Sequence, residues 1–478
     1  MEALRGAGLL VEAPSSLPEI TAVTADTRRL IPGSLYCAVR GAAADGHAFV
    51  AAAASRGAAA ALVEERQAAA AEMPQIVVRD GRRAAAVAAE SWYGHPAARL
   101  KLVGVTGTNG KTTSVTLARH VLAALWPMGS IGTLGAFDPS GASVESEAGN
   151  LTTPGPIDLQ ATLAALVERG AQGAAMEVSS HSLDQGRVDG LVFQAALFTN
   201  LTRDHLDYHK TFEAYFAAKA RLVDYLAADG LAVINADDPA WEKLPKVPRR
   251  ITFGERGVVS AREVSISAKG ARFTLVTPGG HHAVALPLLG RFNVANALGV
   301  AACAAGLGVP PAEIAARLST APQVPGRMER IAGDPCTVLR DYAHTPDALE
   351  RALETTRDIT ARGGRVIVVF GAGGDRDRGK RAPMGAAASR LADVAIVTSD
   401  NPRTEDPELI LDEIESGMGT RPHYRVTDRR AAIGQALELA RLGDTVLLAG
   451  KGHETYQVVG TEKQHFDERE IVRDLGAL

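Results

Sequence analysis

The stretch KLVGVTGTNGKTT, residues 101–113, decides how this chain is read. Residues 101–106 form a short apolar run of the kind that makes a buried strand. Gly107, Thr108, Asn109 and Gly110 follow as a turn, and Lys111, Thr112 and Thr113 open an apolar-periodic helix. The glycines let backbone N–H groups approach phosphate oxygens without Cβ interference. Lys111 would reach the β- and γ-phosphates, and the Thr112 hydroxyl would ligate Mg²⁺. The helix N-terminus adds its positive dipole end. The spacing departs from the usual G-x-x-x-x-G-K-[ST] at one point, because position 105 is valine and Gly104 stands one residue early.

Outward from this loop the same grammar repeats. Apolar runs at 173–178, 195–199, 231–235, 365–370, 394–398 and 445–449 are each bounded by Gly, Asp, Asn or Ser. Alanine-rich helical stretches lie between them, which predicts an α/β fold with parallel sheets. Polar clusters follow the runs: EVSSH, TNLTRDHLDYH, GAGGDRDRGKR, SDNPR and GKGHE. Open α/β sheets bind ligands beyond the carboxyl ends of their strands, so these clusters mark a site. Breaks at Gly94-His95-Pro96 and at APQVPGR (321–327) predict three domains: 1–97, 98–326 and 327–478. The central one carries the phosphate loop and reads as a P-loop ATPase-like sheet domain. Residues 254–280 read as strands or a hairpin of the central domain. The alanine-rich residues 51–63 are broken by Arg56 and read as a soluble helix, not a membrane span.

Composition narrows the function. The 478 residues are 46% hydrophobic and 22% charged with net charge −4, which excludes general disorder, a membrane bundle and a basic nucleic-acid coat. Aromatics at 5% disfavour a base-stacking surface. Cys37, Cys303 and Cys336 are far apart, so neither a disulfide framework nor a CxxC metal site is readable. A reducing cytoplasm fits, and the opening MEALRGAGLLVEAPSS lacks the apolar core of a signal peptide. We expect a cytoplasmic monomer acting on small molecules, with no nucleic-acid partner and no membrane insertion.

Glu177 ends a strand, where its carboxylate would hold the nucleotide's Mg²⁺ directly or through water. His205 follows another strand among Arg203, Asp204, Asp207 and His209. Lys219 sits in an amphipathic helical pattern and reads locally as a solvated charge. The C-terminal clusters mix signs: Asp375, Arg376, Asp377, Arg378, Lys380 and Arg381, then Asp400, Asn401 and Arg403, then Lys451, His453 and Glu454. Arginine grips a carboxylate and acids hold an ammonium, so a substrate carrying both groups suits them.

These motifs in this order resemble the Mur ligases, the ATP-dependent amide-forming enzymes of peptidoglycan synthesis. The resemblance adds TTP (152–154), the Lys219 helix, GRFNVANAL, PGRME and DYAHTPD, and it covers nearly the whole chain. The early glycine of the phosphate loop is also this family's form, and the resemblance implies that 1–97 binds the UDP end of the substrate, 98–326 binds ATP, and 327–478 is a Rossmann-like domain that brings the amino acid. Within the family the chain is similar to the branch that adds meso-diaminopimelate to UDP-N-acetylmuramoyl-L-alanyl-D-glutamate. The resemblance implies that Lys219 is carbamylated to N6-carboxylysine and, with Thr112, Glu177 and His205, helps hold Mg²⁺. It assigns Gly107–Thr113 together with Asn293, Arg327 and Asp341 to ATP. Thr27, Thr152, Thr153, Ser179, Gln185 and Arg187 match positions that hold the muramoyl-dipeptide. Arg376, Asp400, Asn401, Pro402, Arg403, Gly450 and Glu454 match those around diaminopimelate. Lysine-adding relatives carry a different sequence at DNPR, and Arg403 fits the second carboxylate that lysine lacks. Three departures stand out: DTR for DSR at 26–28, alanines at 42–44 where polar residues are common, and GKRAPMG for GKRPLMG.

The implied reaction passes through an acyl phosphate, with Lys111, Lys219, His205 and Glu177 as its machinery. Such an intermediate hydrolyses readily, so domain closure is expected. An amine must lose a proton to react, and His344 and neighbouring acids are candidates for the base. The alternatives are a lysine-adding relative, a folylpolyglutamate synthetase, and a P-loop regulatory ATPase without ligase activity.

Overall fold

The phosphate-loop strand Lys101–Thr106 lies in an eight-stranded sheet between Gly173–Glu177 and Phe193–Phe198, in parallel register with both. This computed structural model describes residues 1–41, 44–145, 151–333 and 336–476, so Ala42 and Ala43 of the variant loop lie outside the described residues. All of the strand but Lys101 is buried, which is why its sequence is an apolar run and not an alternation. Gly104 belongs to this packing. A Cβ there would meet the Phe193 ring at 3.1 Å and Leu222 Cδ1 at 3.3 Å. The glycine that stands early in the phosphate-loop pattern therefore serves the sheet and not the phosphates.

Met128–Gly132, Leu226–Asn235 and Arg249–Phe253 extend the parallel part of this sheet, and Gly135–Phe137 and Ser143–Val144 close one edge antiparallel. Leu102, Met176, Phe193, Phe198 and Trp241 are among the side chains of its core. Parallel order puts the carboxyl ends of neighbouring strands side by side. Thus TGTNGKTT, VSSH and TNLTRDH emerge together although up to about a hundred residues separate them along the chain.

A five-stranded sheet precedes it, with Leu10–Glu12 antiparallel at one edge and Gln75–Val78, Ala60–Val63, Ser34–Cys37 and Ala22–Thr24 parallel. Here the sequence reading needs correction. Residues 51–63 are not one helix. A helix covers Val50–Ser55, Gly57 turns the chain at φ +86°, and Ala60–Val63 is a wholly buried strand. Alanine's helical preference, a few tenths of a kcal/mol per residue against β-branched neighbours, is outweighed by burial between two strands.

The chain divides into two compact units, Met1–Ser260 with Leu298–Pro310, and Ala261–Ala297 with Pro311–Leu478. The second holds a six-stranded sheet. Glu329–Ala332 is its antiparallel edge, followed by Thr337–Asp341, Thr445–Ala449, Val366–Phe370, Val394–Val397 and Tyr424–Arg425 in parallel. Residues 254–280 supply Ser260–Ser267 and Gly270–Thr277, which join Gly280–Leu286 in a three-stranded sheet. All seven apolar runs are strands, four in the eight-stranded sheet and three in the six-stranded one. Among the described residues no helix is long and apolar enough to cross a membrane.

Candidate active site

In the first unit the site begins at the turn after Thr106. Gly107 has φ +143°, and a Cβ on it would fall 1.9 Å from Thr199 Oγ1, so only glycine fits. Gly110, at φ +84°, lets the chain enter the helix Lys111–Leu122. The loop is stapled to the next strand end. Thr108 N donates to the Asn200 carbonyl at 2.7 Å, Asn109 N to Asn200 Oδ1 at 3.0 Å, and Thr199 Oγ1 to the Asn109 carbonyl at 2.7 Å. A cradle held this way loses little entropy when phosphate enters it.

Lys111 Nζ folds back onto the carbonyls of Gly107 and Thr108, each at 2.9 Å. Lys219 Nζ donates to the same Gly107 carbonyl at 2.7 Å. Lys219 is 1% exposed, so the solvated reading does not hold. Burial and the Lys111 charge push its pKa well below the ordinary lysine range. A neutral amine is nucleophilic, which a protonated one is not. Four residues before it, buried Tyr215 carries Lys219 Nζ 4.7 Å above its ring and hydrogen-bonds Thr108 Oγ1 at 3.1 Å.

Glu177 is 1% exposed at its strand end, and Oε1 accepts from Thr133 N at 2.8 Å. Thr133 Oγ1 also reaches Thr152 Oγ1 at 3.3 Å. Thr153 Oγ1 donates to the Glu177 carbonyl at 2.9 Å and accepts from Ser179 N at 3.1 Å. Arg187 Nη1 donates to the Thr153 carbonyl at 3.0 Å, and its Nη2 to Gln185 Oε1 at 2.7 Å. Glu177, Thr152, Thr153, Ser179, Gln185 and Arg187 thus form one hydrogen-bonded chain. Thr27 is apart from it. It lines a hollow of about 460 Å³ in the five-stranded sheet region with Asp26, Arg28, Tyr36 and Phe49.

His205 caps a short helix in the left-handed region, at φ +53°. Its ring meets His181 edge-on at 4.8 Å, and His181 in turn lies 5.4 Å from His209. Burial, followed by the neighbouring histidines, lowers His181 to about 4. Among the described residues no group of three or more His, Cys, Asp and Glu is arranged to hold a metal. The site residues around the loop are instead mixed: a threonine hydroxyl, one carboxylate, one imidazole and a lysine.

In the second unit the DNPR turn and the GKGHE turn interlock. Asn401 Nδ2 donates to Glu454 Oε2 at 2.9 Å, while Asn401 Oδ1 accepts from Val458 N at 2.9 Å and Lys451 Nζ at 3.0 Å. Asp400 is 6% exposed. A Cβ on Gly450 would fall 2.8 Å from Asp400 Oδ2. Arg403 stands at φ +53°, and its Nη1 donates to the Gly374 carbonyl at 2.8 Å. Gly374 passes so close to Pro402 that a Cβ would lie 1.9 Å from the Pro402 carbonyl oxygen. Burial, offset in part by Asn401, raises the Glu454 carboxyl. Arg376 is exposed beside this loop.

At the next strand end Asp341 accepts from Met328 N at 2.7 Å, and burial pushes its carboxyl up to about 6. Arg327 lies over the Tyr342 ring at 5.2 Å. Asn293 is fully buried and donates to the Leu289 carbonyl at 2.8 Å. His344 Nδ1 meets the Tyr342 carbonyl at 2.8 Å, which fixes the tautomer with Nε2 as acceptor. Burial lowers its pKa, so the ring is neutral. Tyr215, Thr133 and Asn200 were not singled out by motif reading, and Lys451 was named only as one charge of a mixed-sign cluster. Tyr215 alone carried a signal, its place one helical turn before Lys219.

Comparison with known proteins supplies a family context. Residues 19–93 match the Mur ligase family catalytic domain, 105–304 the Mur ligase middle domain and 326–452 the Mur ligase glutamate ligase domain. The chain is 46% identical over 464 residues to the UDP-N-acetylmuramoyl-L-alanyl-D-glutamate–2,6-diaminopimelate ligase of Gloeobacter violaceus, spanning 95% of this chain and 94% of that protein. It is 47% identical to the enzyme of the same name from Synechococcus elongatus, spanning 95% and 93%. A solved structure of a ligase of that name superposes with a TM-score of 0.66 at 34% identity, over 95% of this chain and 94% of that one.

Proposed function

The chain belongs to the Mur ligase family, and we infer that it joins meso-diaminopimelate to the D-glutamate γ-carboxylate of UDP-N-acetylmuramoyl-L-alanyl-D-glutamate at the expense of ATP. The carrying observation is the interlocked DNPR and GKGHE turns. They present two acids, Asp400 and Glu454, beside one arginine, Arg403. Diaminopimelate offers an ammonium to the acids and its far carboxylate to the Nε–Nη2 edge of Arg403. Lysine would leave that edge unpaired.

ATP is the phosphoryl donor. The Gly107–Thr113 backbone cradles its phosphates, and Lys111 leaves the Gly107 and Thr108 carbonyls to neutralise the transferring group. Asn293, Arg327 and Asp341 hold the adenosine part. Thr27, Thr152, Thr153, Ser179, Gln185 and Arg187 hold the muramoyl-dipeptide. The neutral Lys219 amine adds CO2 and releases a proton, becoming a carbamate. The donor set fits a hard cation: Thr112, Glu177 and the Lys219 carbamate offer oxygen, and His205 suits the water that Mg²⁺ retains. When bound there, Mg²⁺ spreads the negative charge of the phosphates.

The chemistry then balances in two steps. A γ-carboxylate oxygen bonds to the γ-phosphorus and ADP leaves, giving an acyl phosphate. The amine bonds to the acyl carbon, phosphate leaves with the former carboxylate oxygen, and one amine proton goes to a base. We assign that base to His344, whose Nε2 is left as the acceptor when Nδ1 donates to the Tyr342 carbonyl, with the neighbouring acids as the alternative. The enzyme works as a monomer in the cytoplasm on small molecules. Labelling the γ-carboxylate with ¹⁸O tests the path: one label must appear in the released phosphate. Unlabelled phosphate, or phosphate release that ignores the amine, would sustain the regulatory-ATPase alternative.

A further inference from the structure

Lys451 is fully buried, with 0% of its side chain exposed, yet nothing above gives it a task. Its Nζ donates to Asn401 Oδ1 at 3.0 Å and to the Tyr456 carbonyl at 2.9 Å. It stands 3.4 Å from Asp400 Oδ1 and 3.9 Å from Glu454 Oε2, over the Phe466 ring at 5.6 Å. A buried ammonium is costly unless its partners are worth the desolvation. Every one of these partners lies in, or beside, the two turns that receive the amino acid.

The geometry of Asn401 shows what the cation achieves. Asn401 Oδ1 accepts from Lys451 and from Val458 N together, so both lone pairs of the amide oxygen are used. The amide is thereby prevented from flipping, and its Nδ2 must face Glu454 Oε2, 2.9 Å away. One oxygen of Glu454 is thus occupied. The same cation sits on the Oδ1 side of Asp400, leaving Oδ2 beside Gly450. Two neighbouring carboxylates repel and would drift apart or share a proton. The Lys451 ammonium behind them offsets that repulsion and keeps both aimed.

The turn that carries Lys451 is anchored from below as well. Arg429 Nη2 donates to the Ala449 carbonyl at 2.9 Å and to Glu468 Oε1 at 2.8 Å, with both side chains of the ion pair 0% exposed. Gln457 Nε2 holds the Asp400 carbonyl at 2.7 Å. Lys451 therefore hangs from a rigid frame and not from a mobile loop.

We propose that Lys451 is a positioning residue for the incoming amino acid: it locks the Asn401 amide and holds Asp400 and Glu454 as one ammonium receptor. The proposal rests on the ligase reading above and deepens it at the amine end. None of the Lys451 partners is among the residues assigned above to ATP, so its removal should act on one substrate.

Steady-state constants of Lys451→Met for all three substrates test this, with the unsubstituted enzyme alongside. The KM for diaminopimelate rises about thirtyfold, while the KM values for ATP and the UDP-dipeptide stay within about twofold and kcat within about threefold. An unchanged KM for diaminopimelate, or equal movement of all constants, overturns the proposal. If the Met variant does not fold, Lys451→Gln, which keeps a donor without the charge, is read by the same criteria. Loss of folding in both variants also overturns it, because Lys451 would then be a folding residue. Should the unsubstituted enzyme itself fail to use diaminopimelate, the ligase reading falls, and that outcome is distinct from the others.

Discussion

The phosphate loop and the amino-acid turns solve opposite problems with opposite materials. At residues 107–113 we assign phosphate recognition to the main chain and the helix N-terminus, and the two lysines point at one carbonyl oxygen. At 400–403 and 450–454, where we place amino-acid recognition, side chains of both signs are tied by Asn401 and Lys451. A phosphate chain looks the same from one nucleotide to the next, so main chain suffices. An amino acid must be told from its analogues, and only directed charges do that. Mutations should therefore damage the two regions differently: turnover and nucleotide binding at the first, amino-acid choice and affinity at the second.

The largest loss is expected for Lys111→Ala, where turnover falls about a thousandfold because the transferring charge is no longer neutralised. Stopped-flow phosphate release measures it, and a fall under tenfold would break the contrast. Lys219→Ala should cut turnover about a hundredfold or more while nucleotide binding, followed by calorimetry, is nearly unchanged. Turnover like that of the unsubstituted enzyme without added carboxylate would remove the carbamate role. Arg403→Ala should leave ATP affinity alone but shrink the preference for diaminopimelate over lysine about a hundredfold, read as the ratio of the two kcat/KM values.

Smaller effects sharpen the comparison. Gly107→Ala forces a Cβ to 1.9 Å from Thr199 Oγ1 at φ +143°, and nucleotide affinity should drop about tenfold to a hundredfold. His453 gives a pH effect on stability. Burial, followed by Arg327 and Arg340, lowers it from 6.5 to about 4. Between those values the unfolded chain binds the proton and the folded chain does not. Stability is therefore complete above pH 6.5 and is lost as pH falls toward 4, by about 3 kcal/mol at most. Denaturant titrations of His453→Gln should show a shallower loss over that window.

Legibility in the sequence followed the same division. The phosphate loop was readable because glycine spacing is local, and Gly104 looked anomalous only because its purpose, clearance for Phe193, is tertiary. The strand runs were readable because parallel strands buried on both faces cannot be polar. The alanine stretch at 51–63 misled because alanine is silent about whether it sits in a helix or between strands. Lys219 was invisible to local pattern. Its burial depends on Gly107, 112 residues away. In the second unit the mixture of signs was readable, but the pairing was not. Asn401 meets Glu454 across 53 residues and Lys451 across 50, and periodicity carries no such information.

Mass spectrometry of the product formed from ATP, the UDP-muramoyl-dipeptide and a mixture of diaminopimelate and lysine tests the account most directly. It expects a single adduct, the dipeptide nucleotide plus diaminopimelate less one water, formed with one ADP and one phosphate. A lysine adduct, or ADP and phosphate released with no adduct, would contradict it.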